Sequence, residues 1–131
     1  MFTSLCVSLT SKSSDQALAI GDHHGDPTMG LVTADEVWFI TAGEGLQCYS
    51  RASGLLTFFR RGHSPLAAPG SAAAWNVHDA RLEGERVVRV LIDPWSEFAS
   101  VWRVDLRDAS VAKLSDGPFL SREPYRDNVE F

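Results

Sequence analysis

Apolar and polar positions alternate in short runs along most of this chain, and one strand–turn–strand pattern occurs twice. Residues 46–62 read LQCYSRASGLLTFFRRG and residues 101–117 read VWRVDLRDASVAKLSDG. In each, a strand-like run meets a small polar turn, 51–54 in the first and 107–110 in the second. A second run follows and a glycine closes the unit. An apolar run precedes each: Val37-Trp38-Phe39-Ile40 and Val87-Val88-Arg89-Val90-Leu91-Ile92. Period-two runs separated by turn residues predict antiparallel hairpins, and their recurrence predicts an internal duplication of 37–62 and 87–117.

The remaining segments fit the same scheme. Residues 2–9 alternate loosely and predict a first strand, with a polar turn at 11–15. Residues 16–20 (QALAI) fit a strand or a helical turn. Residues 21–30 (GDHHGDPTMG) predict a loop, because three Gly and one Pro in ten residues oppose a regular element. Residues 36–41 are apolar on both faces and predict a central strand covered on both sides. A glycine-bearing turn at 42–45 follows. Residues 62–71, with two Pro and two Gly, predict a loop or an edge, and 73–78 a strand centred on Trp75. Glu83-Gly84-Glu85 predicts a tight hairpin between 81–82 and 86–92. Residues 101–106 place Trp102, Val104 and Leu106 on one face and Arg103 and Asp105 on the other. The tail, 116–131, has two Pro and no period, so it is expected to run irregularly over the surface. No capping box precedes an apolar helical stripe. The predicted fold is all-β: a single-domain antiparallel meander over 1–131, a sandwich or open barrel, with few or no helices.

Length and composition narrow the function. At 131 residues the chain can bury a core without disulfide or metal staples. Its formal charge is −5, from 17 acids against 12 Lys and Arg, which argues against sequence-independent nucleic-acid binding. The same charge favours encounter with a basic protein. Cys6 and Cys48 lie far apart with no CxxC or Cys/His ligand spacing, so each reads as a small hydrophobe. The start, MFTSLCVSLTSKSS, lacks the basic region of a secretion signal, and no run is long enough to cross a bilayer. The expected compartment is the cytoplasm.

Candidate chemistry is sparse. Asp22-His23-His24-Gly25-Asp26 concentrates potential ligands, with His63 and His78 further on. Adjacent histidines on an extended chain point apart and cannot easily share an ion, so a solvated loop is the expectation and no metal or other cofactor is predicted. The carboxylate pairs Asp35/Glu36 and Glu83/Glu85 sit at turns, too wet to raise a pKa for acid–base work. There is no GxSxG elbow and no phosphate loop. Arg51, Arg60 and Arg61 form the one small basic group, read as protection of a sheet edge. The segment with most promise is Asp93-Pro94-Trp95-Ser96-Glu97-Phe98, where two large aromatics and two acids share one loop. An aromatic anchor ringed by charge is what a protein-binding hot spot looks like. The alternative is that Trp95 and Phe98 fold back and cap the core. Asp93, Trp95, Glu97 and Phe98 are therefore the predicted partner-contact residues.

Three resemblances bear on function. Residues 100–106 (SVWRVDL) followed by 111–117 (VAKLSDG) resemble the outer strands of TolB-type β-propeller blades, which implies propeller-like hairpins. The stretch 25–31 (GDPTMGL) followed by 36–46 (EVWFITAGEGL) is similar to the small acidic β-rich immunity proteins of bacterial toxin–immunity pairs. That likeness implies a non-enzymatic protein that neutralises a cognate toxin by occluding its active site. Glu36 seven residues before Gly43, with Gly62 leading to Pro69-Gly70, resembles the two cupin motifs. The His-x-His expected near 30–32 is missing, as is the later His near 72–74, so this alternative is a degenerate cupin-like barrel for a small molecule or metal.

Overall fold

A computed structural model describes residues 4–10, 17–24, 29–59 and 75–131. It contains ten strands: β1 (Ser4–Thr10), β2 (Ala17–His24), β3 (Met29–Val32), β4 (Phe39–Gly43), β5 (Gly45–Ser50), β6 (Gly54–Phe58), β7 (Val77–Leu82), β8 (Val87–Ile92), β9 (Ser100–Asp105) and β10 (Ser110–Asp116). Every strand pair is antiparallel, and no helix occurs among the described residues. The fold is all-β, as the alternation predicts. β1 and β2 form a hairpin; β3-β4-β5-β6 and β7-β8-β9-β10 are two four-stranded sheets with their strands in chain order. The repeated units are the β5–β6 and β9–β10 hairpins, and the apolar runs before them become β4 and β8.

The main core lies between the four-stranded sheets. Ile40, Ala42, Leu46 and Cys48 enter it from one, and Val88, Val90, Ile92, Trp102 and Val104 from the other. Trp75 joins Phe59 and Trp102 in a ring cluster with centroids 4.9–5.7 Å apart. At one corner the sheets are stitched directly: Glu44 bridges Asn76, and the Gly45 N–H donates to the Trp75 carbonyl at 2.8 Å. Burial pushes the Cys48 thiol up to about 12, which leaves it an inert hydrophobe.

Both sheets also bury part of their outer faces. Thr41 and Gln47, turned away from the core, are buried, and β2 lies against β4 and β5. β4 is thus covered on both sides, although it begins at Phe39 rather than at 36. On the far side of the other sheet, Leu91 and Val101 pack with Leu120 and Val129 of the tail, flanked by Trp95 and Phe131. A loop and a strand side chain hold the tail by its carbonyls: Trp95 Nε1 donates to Glu123 at 3.1 Å and Arg81 Nη2 to Val129 at 3.0 Å. Such bonds satisfy the backbone of a segment that has no ladder partner.

The glycine-rich stretch departs from expectation. Residues 21–24, predicted as loop, continue β2, with Gly21 opposite Val7. A register shift between Val7 and Ser8 is the bulge that absorbs the irregularity. Met29–Val32, also inside the predicted loop, is β3 and pairs with β4. Residues 77–78 and 81–82, read as parts of separate strands, form the single strand β7, shifted in register between Val77 and Asp79.

Asp35 ties the ends of the two sheets together. Its carboxylate accepts from Thr33 Oγ1 at 2.7 Å, Val37 N–H at 3.1 Å and Arg86 Nη2 at 2.7 Å. Arg86 foremost, then the Thr33 hydroxyl and the Val37 amide, hold the carboxyl well below the usual carboxylate range. The sign follows from the depression. The stability Asp35 adds is fully present above its unfolded value of 3.8 and is lost as pH falls below that toward the folded value. The melting-temperature gap between the wild type and Asp35→Asn should therefore be constant from neutral pH to about 5 and narrow progressively below 3.8. Thermal scans of both proteins across that range check this; a gap independent of pH would refute it.

Candidate functional site

The segment singled out by its aromatics and acids is the β8–β9 connection. Its shape is set by short polar bonds around Ser96. The Ser96 N–H and hydroxyl both donate to the Asp93 carbonyl, at 3.2 and 3.3 Å, and Ser96 Oγ accepts from Phe98 N–H at 3.0 Å. Pro94 is fully buried, and its carbonyl accepts from the Leu120 N–H at 2.6 Å. The loop is therefore anchored from below by a proline and from the side by the tail.

The four predicted contact residues split into two groups. Trp95 turns toward the tail. Its ring lies 5.0 Å from His78 and 4.8 Å from Tyr125, whose own side is 71% exposed. Half-buried, Trp95 caps the second apolar cluster on one side and contributes to a surface aromatic trio on the other. Loss of solvent and neighbouring Asp127 raise the Tyr125 phenol above its ordinary value, so it stays protonated at neutral pH. Asp93 is half-buried, and its backbone N–H is tied to Asn76.

Glu97 and Phe98 face the other way. With Ala99, Lys113 and Asp116 they line an open recess of about 380 Å³ beside β10. Lys113 and Asp116 form an ion pair across its rim. All seven residues of β10, the last strand of its sheet, are exposed. Leu114 and Phe119 add apolar surface nearby, Phe119 at 61% exposure. Phe98 is only half-exposed, so loop and recess together present a shallow surface of acid, ring and aliphatic groups.

The other candidate groups take structural places. His78 sits in the aromatic trio with its Nε2 3.2 Å from the Asp127 carbonyl. His23 and His24 occupy consecutive positions of β2, opposite Leu5 and Ser4. His63 lies outside the described residues, as do Arg60 and Arg61. Among the described residues no group of three or more His, Cys, Asp or Glu is placed to hold a metal ion. Asp35 is held ionised by Arg86, the reverse of what a general acid needs, and Glu83 is paired with Arg89 at 2.7 Å. Arg51 is exposed in the β5–β6 turn. No helix is long and apolar enough to cross a membrane among the described residues.

Two features escape a reading of the chain alone. Tyr125 reaches Trp95 only because the tail folds back thirty residues later, and no local pattern announces that return. Lys113 and Asp116 meet Glu97 and Phe98 through the pairing of β9 with β10. The turn at 107–110 does signal that pairing. No protein family, no curated protein and no solved structure matches this chain.

Proposed function

We propose that this chain is a non-enzymatic protein-binding module of the bacterial cytoplasm, an immunity protein that neutralises a cognate toxin by occluding its active site. The observation that carries this reading is the 93–98 loop, which sets Glu97 and Phe98 at an open recess and the half-buried Trp95 against the exposed Tyr125. Aromatic rings that bury large area, with charges around them, suit an interface centre and its rim. The net charge of −5 suits a basic toxin site, where opposite charge accelerates encounter. A cupin-like barrel is the less favoured reading, because the described strands of both large sheets follow chain order without the crossovers of a jelly roll.

The test is to mix the protein with the product of the neighbouring gene and measure affinity at two salt concentrations. Tight binding that weakens with salt is expected. Trp95→Ala combined with Glu97→Ala should weaken it at least about tenfold. Because Trp95 also covers Leu91 and Val101, Phe98→Ala with Glu97→Lys serves as a second variant that spares the tail. Unchanged affinity in both variants, with melting temperatures showing both folded, would remove the loop from the interface.

A further inference from the structure

On the β7–β10 sheet, the side turned away from the main core carries three arginines in one cross-strand row. Arg81 is the partner of Arg89, and Arg89 is the partner of Arg103. Directly opposed residues of an antiparallel pair have β-carbons about 5 Å apart, and like charges there repel. Guanidinium groups do not escape this by losing a proton. A chain with a net charge of −5 thus places three permanent cations side by side on neighbouring strands.

The nearby counter-charges satisfy this row unevenly. Arg89 Nη1 donates to Glu83 Oε1 at 2.7 Å. Arg81 reaches the Val129 carbonyl, lies 4.5 Å over the Phe131 ring and has Asp79 at 3.8 Å. Asp105, the acid two residues from Arg103, gives its hydrogen bonds to Arg107, which donates Nε at 3.0 Å and Nη2 at 2.6 Å, and acts on Arg103 only through space. Asp108 accepts from the Ser110 N–H. Arg103 is exposed and has no ion-pair partner among the described residues. The Nε of Arg89, its neighbour, is enclosed without an acceptor among the described residues.

We propose that Arg103 and Arg89 form a binding site for a tetrahedral oxyanion of the phosphate class. A planar guanidinium fork matches two oxygens at once. A carboxylate has only two and is saturated by one fork. A phosphate group presents a third and fourth oxygen, so it can accept from the Arg103 fork and also from the part of the Arg89 guanidinium that Glu83 does not hold, and relieve their repulsion. The shared chemistry is that of inorganic phosphate and of a phosphate monoester. The site is separate from the 93–98 loop and does not rest on the protein-binding reading.

Thermal unfolding of the full chain tests it, with potassium chloride replaced at constant ionic strength by potassium phosphate, O-phosphoserine or potassium acetate. Phosphate at about ten times its Kd should raise the melting temperature by about 5 °C, and acetate should not. A rise with inorganic phosphate alone assigns the site to the free ion; a rise with phosphoserine as well assigns it to monoesters. Phosphate also stabilises proteins by exclusion from their surface, and Arg103→Gln separates the two effects. Arg103→Gln should melt in chloride at or slightly above the wild-type temperature, since it removes a like charge, and should lose the phosphate-specific rise. An equal rise in Arg103→Gln, an equal rise with acetate, or no rise with either phosphate compound overturns the site.

Discussion

Gly45→Ala should lower the stability of this protein by about 2–4 kcal/mol, through backbone strain and a forced shift at the corner where its two sheets meet. Gly45 has φ +87°, a conformation that side-chain-bearing residues rarely adopt. An added β-carbon would lie 3.0 Å from the Phe59 carbonyl oxygen and 3.2 Å from that of Phe58. Both are backbone atoms, one at the end of β6 and one just beyond it, so relief requires the backbone itself to move. The same residue donates its N–H to Trp75, so that movement also pulls on the stitch between the sheets. Gly54, with φ +70° and nothing within 4 Å of the added carbon, is the control. Gly54→Ala should cost only the conformational part, about 1–2 kcal/mol. Urea unfolding of the three proteins checks this. Equal losses at the two positions would mean that the close approach at Gly45 adds nothing.

The contrast between what the chain announced and what it concealed has physical causes. Trp102, Val104 and Leu106 were legible as one face because a strand with a core on one side must alternate, and all three are in the main core. The double cover of β4 was legible only in part: of the run Val37-Trp38-Phe39-Ile40 the first two residues precede the strand and Val37 is exposed, while the outer face that is buried carries Thr41. The end of β2 at 21–24 is not legible because glycines at 21 and 25 weigh against strands in general, whereas here Gly21 stays paired with Val7 beside the bulge. β3 was missed because four residues carry too little period to stand out from a flanking loop. The tail's irregularity was plain, but not its partners, which are carbonyl-directed bonds from Trp95 and Arg81 that any sequence could supply.

The same division applies to the sites. The 93–98 loop was visible as composition, and the fold adds the recess, the Tyr125 partner and the separation of Trp95 from Phe98. The arginine row was invisible as composition, because its members are eight and fourteen residues apart and each has a different neighbour in the chain. Its signal lay in register. A hairpin turning at 83–86 pairs 81 with 89, and one further ladder pairs 89 with 103. Sequence grouping found Arg51, Arg60 and Arg61 instead, neighbours along the chain. In a meander, charge that accumulates across strands exceeds what any window along the chain displays.

Trp75→Ala should cost about 3–5 kcal/mol, the range for truncating a large buried ring. Trp75→Phe should be milder than Trp102→Phe by about 1 kcal/mol or more. The difference rests on two indole N–H groups in one ring cluster. Trp102 Nε1 donates to Ser100 Oγ at 2.9 Å, and phenylalanine there removes that bond. Trp75 Nε1 is buried with no hydrogen-bond partner among the described residues, so phenylalanine there removes an unmet donor whose burial costs about 1–3 kcal/mol. Both changes delete the same atoms from contacts with Phe59 and with each other's ring. Far-UV circular dichroism against urea gives the two midpoints. Trp75→Phe proving as costly as Trp102→Phe would show that the Trp75 donor is satisfied in solution. The milder outcome would mean that position 75 is held by shape. Trp75 lies just before β7, its carbonyl accepts from Gly45 of the opposite sheet, and its indole packs against both Phe59 and Trp102. An orphaned donor persists at such a place because the contacts between sheets outweigh one missing hydrogen bond.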